Sequence, residues 1–410
     1  MGIELLSPAG NFDKLKTAYN FGADACYMGL DHFSLRANSE NFTLEDYDKL
    51  YALKGDKKKL YLAMNILFHE NQIQSAKELA PRLTKSPFDA FIISDIGLVD
   101  TLQKYCPDKQ LHLSTQASCL NSEAVKLYKK LGFSRVILGR EANLDDIKRI
   151  KDAVPDIEIE CFIHGAMCMS YSGRCLLSTY LAGRSGNQGD CSHTCRWNYK
   201  LHYALEESER PGMYFPIEES EDGYTTILSS KDLCMIDHLE DLKNAGVSSL
   251  KIEGRMKSLY YVAVVTRAYR KMLDNDKDKM IYREDLFNVS HREYATGFFY
   301  SQDAIDAKKE ETIQTDIGYE RNYLYLGNVV EKVEEGKYII DVRGQIKVGK
   351  EIEYVTPEQP CIKDSTFRLI DEDGNPLEKL DHGHKGYLLT DKELKVGDIL
   401  RTESDKKIIK

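Results

Sequence analysis

Eight short apolar runs, each followed by an amphipathic stretch, constrain this chain more than any other feature. The runs lie at 3–7, 25–30, 59–67, 90–96, 110–118, 135–141, 157–165 and 249–255. Stretches between them, such as NSEAVKLYKKLG and NLDDIKRIKDAV, combine an Asn cap, a 3.6-residue apolar period and a terminal Gly or Pro, which marks helices of about three turns. Thr43, with Asp46 three residues on, carries the capping signal of another helix. Apolar strands that alternate strictly with helices call for a parallel sheet, and a count of eight predicts a closed α/β barrel of the (β/α)8 TIM type rather than an open doubly wound sheet. No Gly-rich dinucleotide fingerprint, phosphate loop or zinc-protease helix motif is present.

The seventh run ends at His164 and Gly165, and the next helical pattern starts only at Ser230, so about 166–230 reads as an insertion after the C-terminal end of a barrel strand. That end of a barrel carries active sites. Cys168, Cys175, Cys191 and Cys195 lie in the insertion at spacings of x6, x15 and x3, within Gly-, Ser- and Asn-rich sequence that turns sharply. Thiolates suit iron–sulfur clusters and zinc, and Arg174, Arg184 and Arg196 are near enough in sequence to offset a tetrathiolate. On spacing alone cluster and structural zinc stay equally open, since four cysteines also satisfy tetrahedral zinc. Disulfides are disfavoured because the N-terminus has no secretory signal pattern, which predicts a cytoplasmic, thiol-reducing location. Cys161, in an apolar run, reads as core. Short runs LHYAL, YFPI and YTTILS inside the insertion predict a small β-lid over the barrel mouth.

Polar residues at strand ends point to the same mouth: Asn65, Asp95, Gln116, Arg140, His164, Glu253 and Arg255, joined by Arg36 from a loop. His164, Glu253 and Arg255 are the candidate catalytic residues, and Arg36, Asn65, Gln116 and Arg140 the candidate substrate-binding ones. Guanidinium groups there suit a carboxylate or phosphate. A histidine can act as acid or base, although a buried, hydrogen-bonded histidine is the more frequent finding. The domain reading is a barrel over 1–275, a helical or linker segment over 276–318, and a small all-β barrel over 319–410, where close-spaced turn signals appear. A net charge of −10 argues against a general nucleic-acid coat and restricts any RNA contact to a local groove. No apolar run approaches the roughly 20 residues that cross a bilayer.

The segments ELLSPAGNFDKLKTAYNFGADACYMG, HGAMCMSYSGRCLLSTYLAGRSGNQGDCSHTCRW and KIEGRMKSLYYVAVVTRAYR resemble the collagenase-like protease family, peptidase U-class family 32, along the whole chain. The C-terminal β-domain is similar to that of the branch that modifies tRNA. The resemblance implies a 4Fe-4S cluster on Cys168, Cys175, Cys191 and Cys195, and hydroxylation supported by prephenate rather than molecular oxygen. It also implies a tRNA anticodon as partner, 5-hydroxyuridine at the wobble position as product, and a second family member as a further partner, as a homo- or hetero-oligomer. The alternatives are a peptidase, as the family name has it, a hydroxylase of ribosomal RNA or a quinone precursor, and a non-catalytic metal scaffold. No nucleophile–base pair or metalloprotease motif can be picked out of the sequence.

Overall fold

The computed structural model describes residues 2–30, 42–168, 170–186, 190–196, 205–206, 214–215, 230–301, 319–405 and 408–409. The eight runs form the eight barrel strands: β1 (Glu4–Pro8), β2 (Ala25–Gly29), β3 (Lys59–Met64), β4 (Ala90–Ile93), β5 (Gln110–Leu113), β6 (Phe133–Ile137), β7 (Glu158–Ala166) and β8 (Ser249–Ile252). Each pairs in parallel with the next, and β8 closes the ring by pairing with both β1 and β7. Several strands stop earlier than the apolar runs do, because polar residues turn the chain. Asp95 accepts the Gly97 N–H at 2.9 Å, and Ser114 Oγ accepts that of Gln116 at 3.3 Å. The signal at Thr43 is present as an Asp46 carboxylate accepting the Thr43 N–H at 2.8 Å.

Inside the barrel, below the mouth, sits a charge network rather than a purely aliphatic core. Arg135 on β6 is 2% exposed and reaches Glu4 at 2.6 Å, Glu158 at 2.7 Å and Glu160 at 3.0 Å. Glu160 also accepts from Lys251 Nζ at 2.9 Å, and Glu4 from Tyr61 Oη at 2.7 Å and Ser249 Oγ at 2.8 Å. Burial alone would raise the Glu4 carboxyl, but the charge and hydrogen bonds of Arg135 outweigh it and hold the group below the ordinary carboxylate range.

The region after the insertion differs from expectation at one point. The helix expected from Ser230 is preceded by a short strand, Asp232–Cys234, which runs antiparallel to the overhanging end of β7 and parallel to Tyr294–Ala295. A buried ion pair at 2.8 Å between Asp232 and Arg292 fixes this strand, and the helix itself covers Leu239–Asn244. Segment 276–318 contains the helix Lys279–Glu284, and 302–318 lie outside the described residues. Of the runs expected to form a β-lid, Leu205–Glu206 and Tyr214–Phe215 pair antiparallel, while YTTILS and most of LHYAL lie outside the described residues.

The C-terminal domain is antiparallel and all-β, led by the hairpin Tyr323–Glu334 and Lys337–Val342, with its own core that includes Leu326, Tyr338, Tyr354 and Leu388. It docks on the last barrel helix, Leu259–Leu273, through buried charges. Arg267 donates to Asp285 and to the Thr356 carbonyl, each at 2.6 Å, while Arg401 reaches Asp285 at 2.8 Å and Glu353 at 2.7 Å. Among the described residues no helix is long and apolar enough to cross a membrane.

Removing one member of a buried ionic set strands the others. Arg135→Leu should therefore lower unfolding stability by about 3–5 kcal/mol, read from urea denaturation.

Candidate functional site

A cavity of about 150 Å³ opens at the C-terminal end of the barrel strands. Asn65, Gln116, Arg140, Glu253 and Arg255 all line it, and so do Cys168, Cys175, Cys191 and Cys195. Nine of the eleven candidate residues are thus brought to one place. Arg36 lies outside the described residues. Asp95 caps the turn after β4 and also accepts the Phe68 N–H at 3.2 Å.

His164 does not reach the cavity. A bulge in the β7–β8 ladder, where Lys251 faces Phe162 but Ile252 faces His164, shifts the alternation by one residue. Phe162 therefore lines the cavity, whereas His164 turns toward the helix Leu259–Leu273. There it is 1% exposed, with Nδ1 at 3.3 Å from the Tyr269 hydroxyl and the rings of Tyr261, Tyr269 and Tyr294 around it. Burial pushes its pKa down to about 3, so the ring is neutral near pH 7.

The two arginines are held differently. Arg140 Nη1 donates to the Ala166 carbonyl at 2.6 Å, its Nη2 is 3.7 Å from Glu253, and its guanidinium lies 4.1 Å from the Phe162 ring centre. Arg255 is 4% exposed and 5.8 Å from the centre of the Tyr27 ring. Asn65 donates to Ser114 Oγ at 3.4 Å.

The cysteine segment is seated on the barrel by contacts that the sequence reading missed. Glu141, just past β6, accepts the Ser172 N–H at 2.8 Å and the Ser172 hydroxyl at 3.1 Å. Ser172 Oγ in turn accepts the Arg140 N–H at 3.3 Å, and its carbonyl accepts from Ser118 Oγ. Gly173 has φ +75°, and a Cβ there would collide with the Gln116 carbonyl. Only glycine lets the segment lie this close to the loop after β5. Lys251 was also missed, although the alternation of Lys251, Glu253 and Arg255 in KIEGR is the pattern that puts all three on one face.

All ten cysteines are free thiols; Cys168 is exposed, and Cys175, Cys191 and Cys195 are half-buried. Cys161 is in the core, its thiol pushed up by burial. Among the described residues no three Cys, His, Asp or Glu side chains are gathered closely enough to hold a metal ion. The donor chemistry nevertheless fits a tetrathiolate-bound group, since four soft thiols border one cavity. Arg184 pairs with Asp190 at 2.6 Å, so it offers less to such a group than the sequence spacing suggests.

With this geometry established, comparison with known proteins places the chain. The model for peptidase family U32 matches residues 10–309, and that for the U32 C-terminal domain matches 321–401. The chain belongs to peptidase family U32. Among the relatives of this U32 protein, tRNA hydroxylation protein P1 of Bacillus subtilis is 35% identical over 388 residues, 92% of this chain and 89% of the relative. The tRNA hydroxylation protein P of Escherichia coli is 35% identical over 401 residues, 87% of this chain and 86% of that one. A 23S rRNA 5-hydroxycytidine synthase of Escherichia coli is 38% identical over 273 residues, 66% of this chain and 39% of the synthase.

Two outcomes follow for this site. Gly173→Ala should raise hydrogen exchange across 170–186, because a non-glycine residue in this conformation costs about 1–3 kcal/mol before the collision with Gln116 is counted. His164 binds its proton less tightly folded than unfolded, so the unfolded chain holds more protons between about 3 and 6.5 and the fold loses stability as pH falls through that window. His164→Phe should flatten this part of the acid dependence, read from urea midpoints at acidic and neutral pH.

Proposed function

We propose that this U32 protein is a tRNA hydroxylase that forms 5-hydroxyuridine at the wobble position, with prephenate as co-substrate and a 4Fe-4S cluster on Cys168, Cys175, Cys191 and Cys195. The observation that carries the reading is the convergence of those four thiols with Arg140, Glu253 and Arg255 on one barrel-mouth cavity. It is supported by relatives named tRNA hydroxylation protein that match along most of their length.

A single-stranded anticodon base can be splayed into such a mouth without opening a duplex. Asn65 and Gln116, on the wall beyond β3 and β5, supply amide donors and acceptors for a uracil edge. Arg140 and Arg255 supply charge-assisted hydrogen bonds to carboxylates of the co-substrate. Exchange of the C5 hydrogen for a hydroxyl group of the co-substrate oxidises the base by two electrons and reduces the co-substrate by two. In this reading Glu253, a cavity-lining carboxylate beside Arg140, carries the C5 proton to the co-substrate. A bound cluster would supply one-electron redox chemistry at the roof of the cavity. His164, neutral and enclosed by tyrosines, serves the packing of β7 against the helix Leu259–Leu273 in this reading.

The test is mass spectrometry of bulk tRNA from a strain lacking the gene and any second family member. Loss of 5-hydroxyuridine and its derivatives is expected. Restoration by the wild-type gene, and failure of Cys175→Ser and Arg255→Ala to restore it, are expected as well. Unchanged wobble uridines in the double deletion would overturn the reading, and cleavage of gelatin that scaled with the purified protein would favour the peptidase alternative.

A further inference from the structure

Lys251 is the one lysine among the described residues that line the cavity, and it lies on the floor rather than at the rim. It is 3% exposed, with Nζ 4.4 Å from the centre of the Tyr27 ring and 5.4 Å from that of Phe162, so no bulk water solvates the ammonium. Its ion-pair partner is Glu160 Oε1 at 2.9 Å. Glu160 is fully buried, and its other oxygen is held by Arg135 at 3.0 Å.

This double attachment matters for the protonation state. If Lys251 passes its proton to Glu160, the Arg135 cation keeps the Glu4 and Glu158 carboxylates as counter-charges, so no buried charge is stranded. Arg135 stays charged in any case, being a guanidinium. Burial depresses the Lys251 pKa; the Glu160 charge and hydrogen bond oppose this, and the nearby Arg255 cation adds to the depression. A desolvated amine beside a second cation is a standard arrangement of a nucleophilic lysine.

The residues just past β8 also supply a partner for a carbonyl compound. Arg255 follows Lys251 by four residues on the same side of the chain, and both cations sit over the Tyr27 ring. A molecule with a carbonyl next to a carboxylate meets the amine with the first group and the guanidinium with the second.

We propose that Lys251 is a nucleophile that forms an imine with a 2-oxo acid in this cavity, with Arg255 receiving the acid's carboxylate. Glu160 takes the ammonium proton, and the free amine attacks the carbonyl carbon. The carbonyl oxygen leaves as water with the two hydrogens of the neutral amine, and an imine links Nζ to that carbon. Hydrolysis reverses the step, so no oxidant or reductant is consumed. The inference rests on the proposed hydroxylase reading only in taking prephenate, itself a 2-oxo acid, as the natural occupant.

The test uses the full-length protein, purified anaerobically and incubated separately with pyruvate and with prephenate in the presence of cyanoborohydride, which reduces an imine to a stable amine. Peptide mass mapping should place the adduct on Lys251, and Lys251→Arg should lower it more than about tenfold while thermal melting confirms that the variant is folded. Competition adds a second measurement on the wild type alone: excess unlabelled prephenate should protect Lys251 from labelled pyruvate. No adduct, or adducts confined to surface lysines such as Lys57 and Lys130, would overturn the proposal. tRNA hydroxylation without a Lys251 adduct would sink this inference and leave the hydroxylase reading standing. An adduct without hydroxylation would do the reverse.

Discussion

Arg135 holds the barrel together at its least forgiving place. One guanidinium touches carboxylates from β1 and β7, and one of those carboxylates, Glu160, passes the connection on to Lys251 of β8. The network therefore bridges the seam at which β8 joins the first and seventh strands. Charge in a barrel interior is unfavourable unless every member has a partner, and here the partners come from strands far apart in sequence. What results is a polar floor, on which a cavity lined by arginines and a carboxylate can rest without any abrupt change from oil to salt.

Much of this was legible before any coordinates. The strict succession of apolar runs and amphipathic helices specified the barrel, because an apolar strand buried on both faces has few other homes. The crowding of Cys168, Cys175, Cys191 and Cys195 after the seventh run pointed to the mouth, because that is where the chain leaves a barrel strand at its C-terminal end. His164 was not legible as a tyrosine-caged residue, since a single bulged position at β7 reverses which way it faces and leaves no mark in composition or period. The Asp232–Cys234 strand was hidden in the same way: its sequence carries a helical pattern, and pairing with β7 and with Tyr294–Ala295, together with the distant Arg292, decides otherwise.

The cysteine segment shows how a loop can be positioned without regular structure. Glu141 supplies one carboxylate to a backbone N–H and a hydroxyl of the same serine, and Gly173 lets two stretches of main chain touch. Both devices belong to the barrel's own connections, so the thiols inherit their placement from strands β5 and β6. A sequence pattern records the glycine but not what it lies against.

The helix Leu259–Leu273 has a double life. One side presents Tyr261 and Tyr269 to the end of β7, and Arg267 on the same helix is clasped by the C-terminal domain. The β-domain is thus bolted to the wall of the catalytic barrel rather than strung from it. A large ligand that touched both bodies would meet them as the two jaws of a caliper set to one gap, so its own dimensions, and not only its chemistry, would decide whether it could be gripped.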